Sequence, residues 1–147
     1  MSTSQREYNK GPSLCYIIDI GYYTDASSLE KIEPFEQMEE FIKSLQCLGY
    51  TVYQPTQPSR SFNWEQLSEF TERLSLARFP PELGSIMIVF QCHGVARGIY
   101  SSDGKLLPYE LFEHIFGTNR SLVNKPKVII YNCCAGPHAP IYPDVFI

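Results

Sequence analysis

The chain has 147 residues, 44% of them hydrophobic and 14% aromatic, enough for one core that buries roughly two-thirds of the surface an unfolded chain exposes. A formal net charge of −4 leaves no strongly cationic surface for neutralising phosphates, so nucleic acid is not an expected partner. No apolar run reaches the ~18 residues that a bilayer span needs, and the first residues, MSTSQREYNKGPS, hold no apolar signal segment; no membrane association is expected, and the cytoplasm is the expected location.

In chain order, residues 1–12 are polar and end in Gly11-Pro12, which reads as a flexible leader before a domain spanning 13–136. Leu14 to Ile20 is a short apolar run without alternation, as expected for a strand covered on both faces. A loop, GYYTDASS, follows. Phe35, Met38, Phe41, Ile42, Leu45 and Leu48 then fall at helical spacing, with Pro34 suited to the first turn and Gly49 to the end. Tyr50 to Tyr53 predicts a second strand, and Trp64, Leu67, Phe70 and Leu74 a second helical stripe. The apolar segment Ser85 to Phe90 predicts a third strand with Cys92-His93-Gly94 at its carboxyl end. Ser-Ser-Asp-Gly, between Ile99-Tyr100 and Leu106-Leu107, suits a small hairpin. A short helix from Pro108 to Phe116 and a fourth strand, Lys127 to Asn132, ending in Cys133-Cys134, complete the domain; residues 137–147 read as a C-terminal loop. The alternation of strands and helices is the α/β rhythm.

Five cysteines, Cys15, Cys47, Cys92, Cys133 and Cys134, are an odd number without regular spacing, so reduced thiols are expected rather than a disulfide framework. Cys92-His93 and Cys133-Cys134-x-x-x-His138 match none of the usual zinc spacings, and neither a metal nor another cofactor is expected. In a parallel α/β sheet, reactive groups gather outside the carboxyl ends of the strands. Two such ends carry His93 and Cys134. A thiol becomes a nucleophile at neutral pH when a base or a stabilising charge lies within hydrogen-bond reach, which an imidazole supplies. On the residues alone, a buried structural cysteine and a structural histidine are the competing reading.

Gln91-Cys92-His93-Gly94 with Arg97-Gly98-Ile99-Tyr100 and Asp103-Gly104 resembles the Ser-His-Gly segment and downstream hairpin of caspases. Lys125 to Gly136, KPKVIIYNCCAG, is similar to the caspase strand that ends in Gln-Ala-Cys-x-Gly, and Leu48 to Val52 resembles the helix end that enters the second strand. The separation of His93 from Cys134 is close to the ~50 residues of that family. The resemblance implies a three-layer α/β sandwich, with a mostly parallel central sheet flanked by helices and lacking the small-subunit strands. It implies a cysteine-type endopeptidase of protein substrates, cutting after aspartate in apoptotic or related signalling as a dimer of large and small subunit pairs. In that comparison Cys134 is the nucleophile, His93 protonates the leaving amine, and the backbone N–H groups of Gly94 and Cys134 form the oxyanion hole. Asn132 falls on the substrate-binding glutamine, and Cys133 on the family's alanine.

Three features depart from that pattern. The loop Gly21 to Glu33 contains no arginine for an aspartate carboxylate, Asn132 replaces the glutamine two residues before the nucleophile, and Ala135 replaces the arginine after it; Arg60 and Arg97 are candidate substitutes, although each reads first as a surface salt-bridge or solvated residue. The strand KVIIYN would expose a sheet edge, so a caspase small subunit or a full-length caspase is the expected partner. Asp144 is a candidate processing site. A truncated homologue that binds and regulates a full-length caspase, or a metacaspase- or paracaspase-like peptidase suggested by Asn132-Cys133-Cys134, are the alternatives. His114, beside Phe112, Ile115 and Phe116, reads as a surface residue, and His138 as part of a proline-rich loop.

Overall fold

The apolar and β-branched runs form a sheet whose strands are β1 (Ser13–Asp19), β2 (Tyr50–Tyr53), β3 (Ile86–Val95), β4 (Gly98–Tyr100), β5 (Leu106–Pro108) and β6 (Lys127–Cys134). Among the described residues three α-helices accompany them: α1 (Met38–Cys47), α2 (Trp64–Leu76) and α3 (Tyr109–Thr118). The structure is a computed structural model that describes residues 11–133 and the strand position of Cys134. The predicted leader up to residue 10, Ala135, Gly136, His138, Asp144 and the rest of the C-terminal loop lie outside the described residues.

The strands β2, β1, β3 and β6 lie side by side in that order, all parallel. At the end of β3 the sheet becomes mixed: Gly94 and Val95 pair antiparallel with β4, which pairs antiparallel with β5. The expected mostly parallel sheet is therefore present, with the predicted hairpin as its antiparallel appendage. Among the described residues β6 pairs only with β3, so its outer edge is unpaired there.

Alternation of side chains along each strand produces two cores. Ile18, Ile86, Ile88, Phe90, Cys92 and Ile129 face Leu67 and Leu74 of α2 and Phe112, Ile115 and Phe116 of α3. On the other face Cys15, Ile17 and Val89 meet Leu45 of α1, with Met38, Phe41 and Ile42 around them. Each fully buried aliphatic side chain contributes ~1.5–3 kcal/mol, which is why continuous apolar strands need helices on both sides. The result is three layers, helix, sheet and helix pair, as the resemblance implied. Phe90 ties the larger core together, its ring 4.8 Å from Phe112 and 5.4 Å from Tyr131.

The helix boundaries have identifiable causes. Asn63 caps α2 by accepting from Gln66 N while the Gln66 side chain accepts from Asn63 N, a closed capping box. Asp103, in the β4–β5 hairpin, accepts from Trp64 N and so fastens the hairpin to the same helix start. α1 begins at Met38, later than the stripe and Pro34 predict, because Phe35 is taken into a turn in which Met38 N donates to its carbonyl. No helix among the described residues is long and apolar enough to cross a membrane.

Candidate active site

His93 does not follow β3, as the sequence reading had it, but lies within the strand. Continued pairing with β6 carries β3 through Gln91, Cys92 and His93, whose partners are Asn132, Cys133 and Cys134, and pairing with β4 carries it to Val95. His93 and Cys134 are thus opposite one another on neighbouring parallel strands. A position fixed by ladder hydrogen bonds on one side varies less than one on a loop.

One step back along the same strands, the chemistry differs. The Cys92 and Cys133 sulfurs approach to 3.5 Å, and Cys92 is buried in the α2/α3 core. Its hydrogen-bonding contact with Cys133, together with burial, pushes the Cys92 thiol well above its ordinary pKa, so it stays protonated at neutral pH. Gly94 shares this face, and a Cβ added there would sit 2.9 Å from both the Cys133 Cβ and the Gly98 carbonyl. That crowding requires glycine at position 94. Cys133 is packed, partly buried, against this same core.

His93 is oriented from the β1–α1 loop. Its backbone N–H donates to Tyr23 Oη at 2.7 Å, the Tyr23 hydroxyl donates to the Ile20 carbonyl, and the two rings lie 4.8 Å apart. The imidazole Nε2 is 2.6 Å from the Glu30 carbonyl oxygen. A carbonyl only accepts, so in this contact Nε2 carries the hydrogen and Nδ1 is left as the basic nitrogen of the neutral ring. Burial drives the Tyr23 hydroxyl pKa far up, keeping it a neutral hydrogen-bonding group.

Beside the His93–Cys134 level runs a polar row. Asp19, Gln91 and Asn132 are register neighbours across β1, β3 and β6, and Asn132 Nδ2 donates to Gln91 Oε1. At its β1 end the Asp19 carboxylate takes a bidentate pair from Arg60, Nε at 2.7 Å and Nη2 at 3.0 Å, with Gln57 donating to the same carboxylate. Arg60 is 6% exposed, so the surface or solvated role expected for it is corrected: it is a buried ion-pair member, already engaged by Asp19. Arg97 is exposed in the β3–β4 turn, and His114 is exposed on α3. Asn132, at the position compared with the family glutamine, is exposed on β6. Among the described residues no group of three metal-ligating side chains gathers.

Sequence reasoning missed Tyr23, Gln91 and the Glu30 carbonyl. Tyr23 and Gln91 were visible only as members of a loop and a strand end, and a backbone carbonyl carries no sequence signal at all.

The same segments decide the family. Residues 12–143 match the caspase domain, peptidase C14. The chain belongs to the caspase-domain family. Among known proteins it is similar to Caspase-2 of Gallus gallus, 33% identical over 76 residues that cover 49% of this chain and 18% of that protein. The match thus spans less than a fifth of that relative's length. Within the caspase domain, the paired ends of β3 and β6 set His93 and Cys134 in register.

Proposed function

We propose that this chain is the large-subunit portion of a caspase-type cysteine endopeptidase, with Cys134 as nucleophile and His93 as its acid–base partner. The observation that carries the reading is the backbone register of His93 with Cys134 on adjacent parallel strands. The Cys134 sulfur passes its proton to His93 and, as thiolate, attacks the carbonyl carbon of the scissile peptide; the electron pair moves to oxygen, where the N–H groups of Gly94 and Cys134 stabilise it. Collapse of the tetrahedral species breaks the C–N bond as His93 protonates the leaving amine. Water, deprotonated by His93, then hydrolyses the thioester and frees Cys134. The Glu30 carbonyl, holding Nε2–H, keeps the ring turned so that Nδ1 is its working nitrogen.

Cleavage after aspartate in apoptotic or related proteolytic signalling is the substrate assignment we draw from the family, with Asn132 contacting substrate. A caspase small subunit supplies further strands, adding to the β6 edge, and pairs of subunits dimerise. A second reading is favoured by one observation: Arg60 is held by Asp19, and the loop from 21 to 33 has no arginine to bind an aspartate carboxylate. In that reading the chain binds a full-length caspase through the β6 edge and regulates it without cutting.

Assembly with a caspase small subunit, followed by assay of peptides with Asp, Arg or Lys before the cut, separates the two. Turnover of the Asp peptide that disappears in Cys134→Ala is the expected result. Stable association without turnover of any peptide would replace the peptidase by the regulator.

A further inference from the structure

Arg60 sits in the α2-side loop after β2, yet it joins three parts of the β1–α1 segment. Its guanidinium grips Asp19 at the end of β1, and its Nη1 donates to the Ile32 carbonyl at 2.9 Å. Its own carbonyl accepts from both Gly21 N and Tyr22 N, at 2.9 and 3.1 Å. The loop between those anchor points, from Gly21 to Ile32, is closed on itself by Ile32 N donating to the Gly21 carbonyl. This loop carries the two groups that touch His93, Tyr23 at its start and the Glu30 carbonyl two residues before Ile32.

Two further features indicate a fitted site for this arginine. Arg60 adopts a left-handed backbone at φ 52°, uncommon for a side chain of its size, and Arg60 N donates to the Thr56 carbonyl while Thr56 Oγ1 accepts from Asp19 N. A Cβ at Gly21 would fall 2.3 Å from the guanidinium carbon, so glycine is what admits the side chain. A planar fork that satisfies a carboxylate on one edge and a carbonyl on another is available to arginine and not to lysine.

We infer that Arg60 is a positioning residue for His93: by clamping Asp19 and Ile32 it holds the loop whose Glu30 carbonyl fixes the imidazole. The inference rests on the reading of His93 as the acid–base group, but its test needs no substrate. The readout is exchange of the His93 Nε2–H with water, followed by 15N-edited NMR on the chain well below its unfolding midpoint. The measurement is made at one fixed pH.

Arg60→Lys keeps a cation for Asp19 but loses the bond to Ile32, and Gly21→Ala displaces the guanidinium without removing it. Each is expected to speed Nε2–H exchange by about tenfold or more, the signature of a hydrogen bond that opens more often. A purely structural role would lower the unfolding midpoint and leave that exchange at its wild-type rate. Wild-type exchange in either folded variant overturns the inference, and Gly21→Ala decides alone if Arg60→Lys does not fold. The catalytic role of His93 is tested separately, by peptide cleavage in His93→Ala assembled with the small subunit, so failure of that reading leaves the exchange result and Arg60's role standing.

Discussion

The two faces of β3 and β6 use the same backbone for opposite purposes. On the α2/α3 face, Phe90, Cys92, Tyr131 and Cys133 are packed together, and burial and mutual contact silence the Cys92 thiol. On the other face, Asp19, Gln91, Asn132 and His93 make a polar row held from the side by Arg60, Tyr23 and a backbone carbonyl. A single step along the strand moves a residue from one environment to the other. Adjacent residues on β6 therefore need not share a chemistry, and under the proposed function alternation along the strand is what separates Cys133, packed against the core, from the nucleophile at position 134.

The sharpest way to break this comparison is to remove each sulfur in turn. Cys134→Ala is expected to lower peptide cleavage by the assembled enzyme by more than ~1,000-fold, as loss of a nucleophile does. Cys133→Ala should leave cleavage within a few-fold of wild type and cost ~1–2 kcal/mol in denaturant unfolding, since it only empties core volume. The reverse pattern would mean that the faces have been assigned wrongly.

A smaller effect concerns burial on the polar row's own face. Cys15 lies deep under α1, and burial pushes its thiol from 9.0 up to about 11. The folded value lies above the unfolded one, so the associated stability is fully present below pH 9.0 and is lost as pH rises through about 11. A shift of that size corresponds to about 2–3 kcal/mol. Unfolding free energies measured between pH 8 and 11 should show the decline, and Cys15→Val should lessen it, leaving the part that Cys92 contributes.

Next in size is Gly94→Ala. The added methyl meets the Gly98 carbonyl and the Cys133 side chain at contact distances that force one of them to move. A loss of ~1–3 kcal/mol is expected by thermal or chemical unfolding, and none at all would show that this face is looser than its packing indicates. The smallest expected effect is that of Tyr23→Phe. It removes one hydrogen bond to the His93 backbone and one to Ile20, so stability should fall by ~1 kcal/mol and cleavage by a few-fold, measured at saturating peptide.

The parts of this arrangement that sequence made legible share a physical trait. Apolar runs such as SIMIVF and KVIIYN announce strands covered on both faces, and the stripes of α1, α2 and α3 announce which helices cover them. The hairpin was readable from Ser-Ser-Asp-Gly, because its turn needs Gly104 at φ 78°. Strand ends were less readable. Polar residues from Gln91 onward look like a loop, yet pairing with β4 and β6 keeps them extended. Arg60 was misjudged for the same reason that buried charges generally are: its partner Asp19 is distant in sequence, and nothing local predicts a closed ion pair. Removing one member would leave an uncompensated buried charge, a penalty of ~3–5 kcal/mol.

Thiol labelling at neutral pH, with each modified cysteine located by mass spectrometry in the folded chain and in His93→Ala, probes the pleat most directly. The account predicts that Cys134 is modified far faster than Cys92 or Cys133, and that replacing His93 slows Cys134 alone. Preferential labelling of Cys133, or a Cys134 rate indifferent to His93, would contradict it.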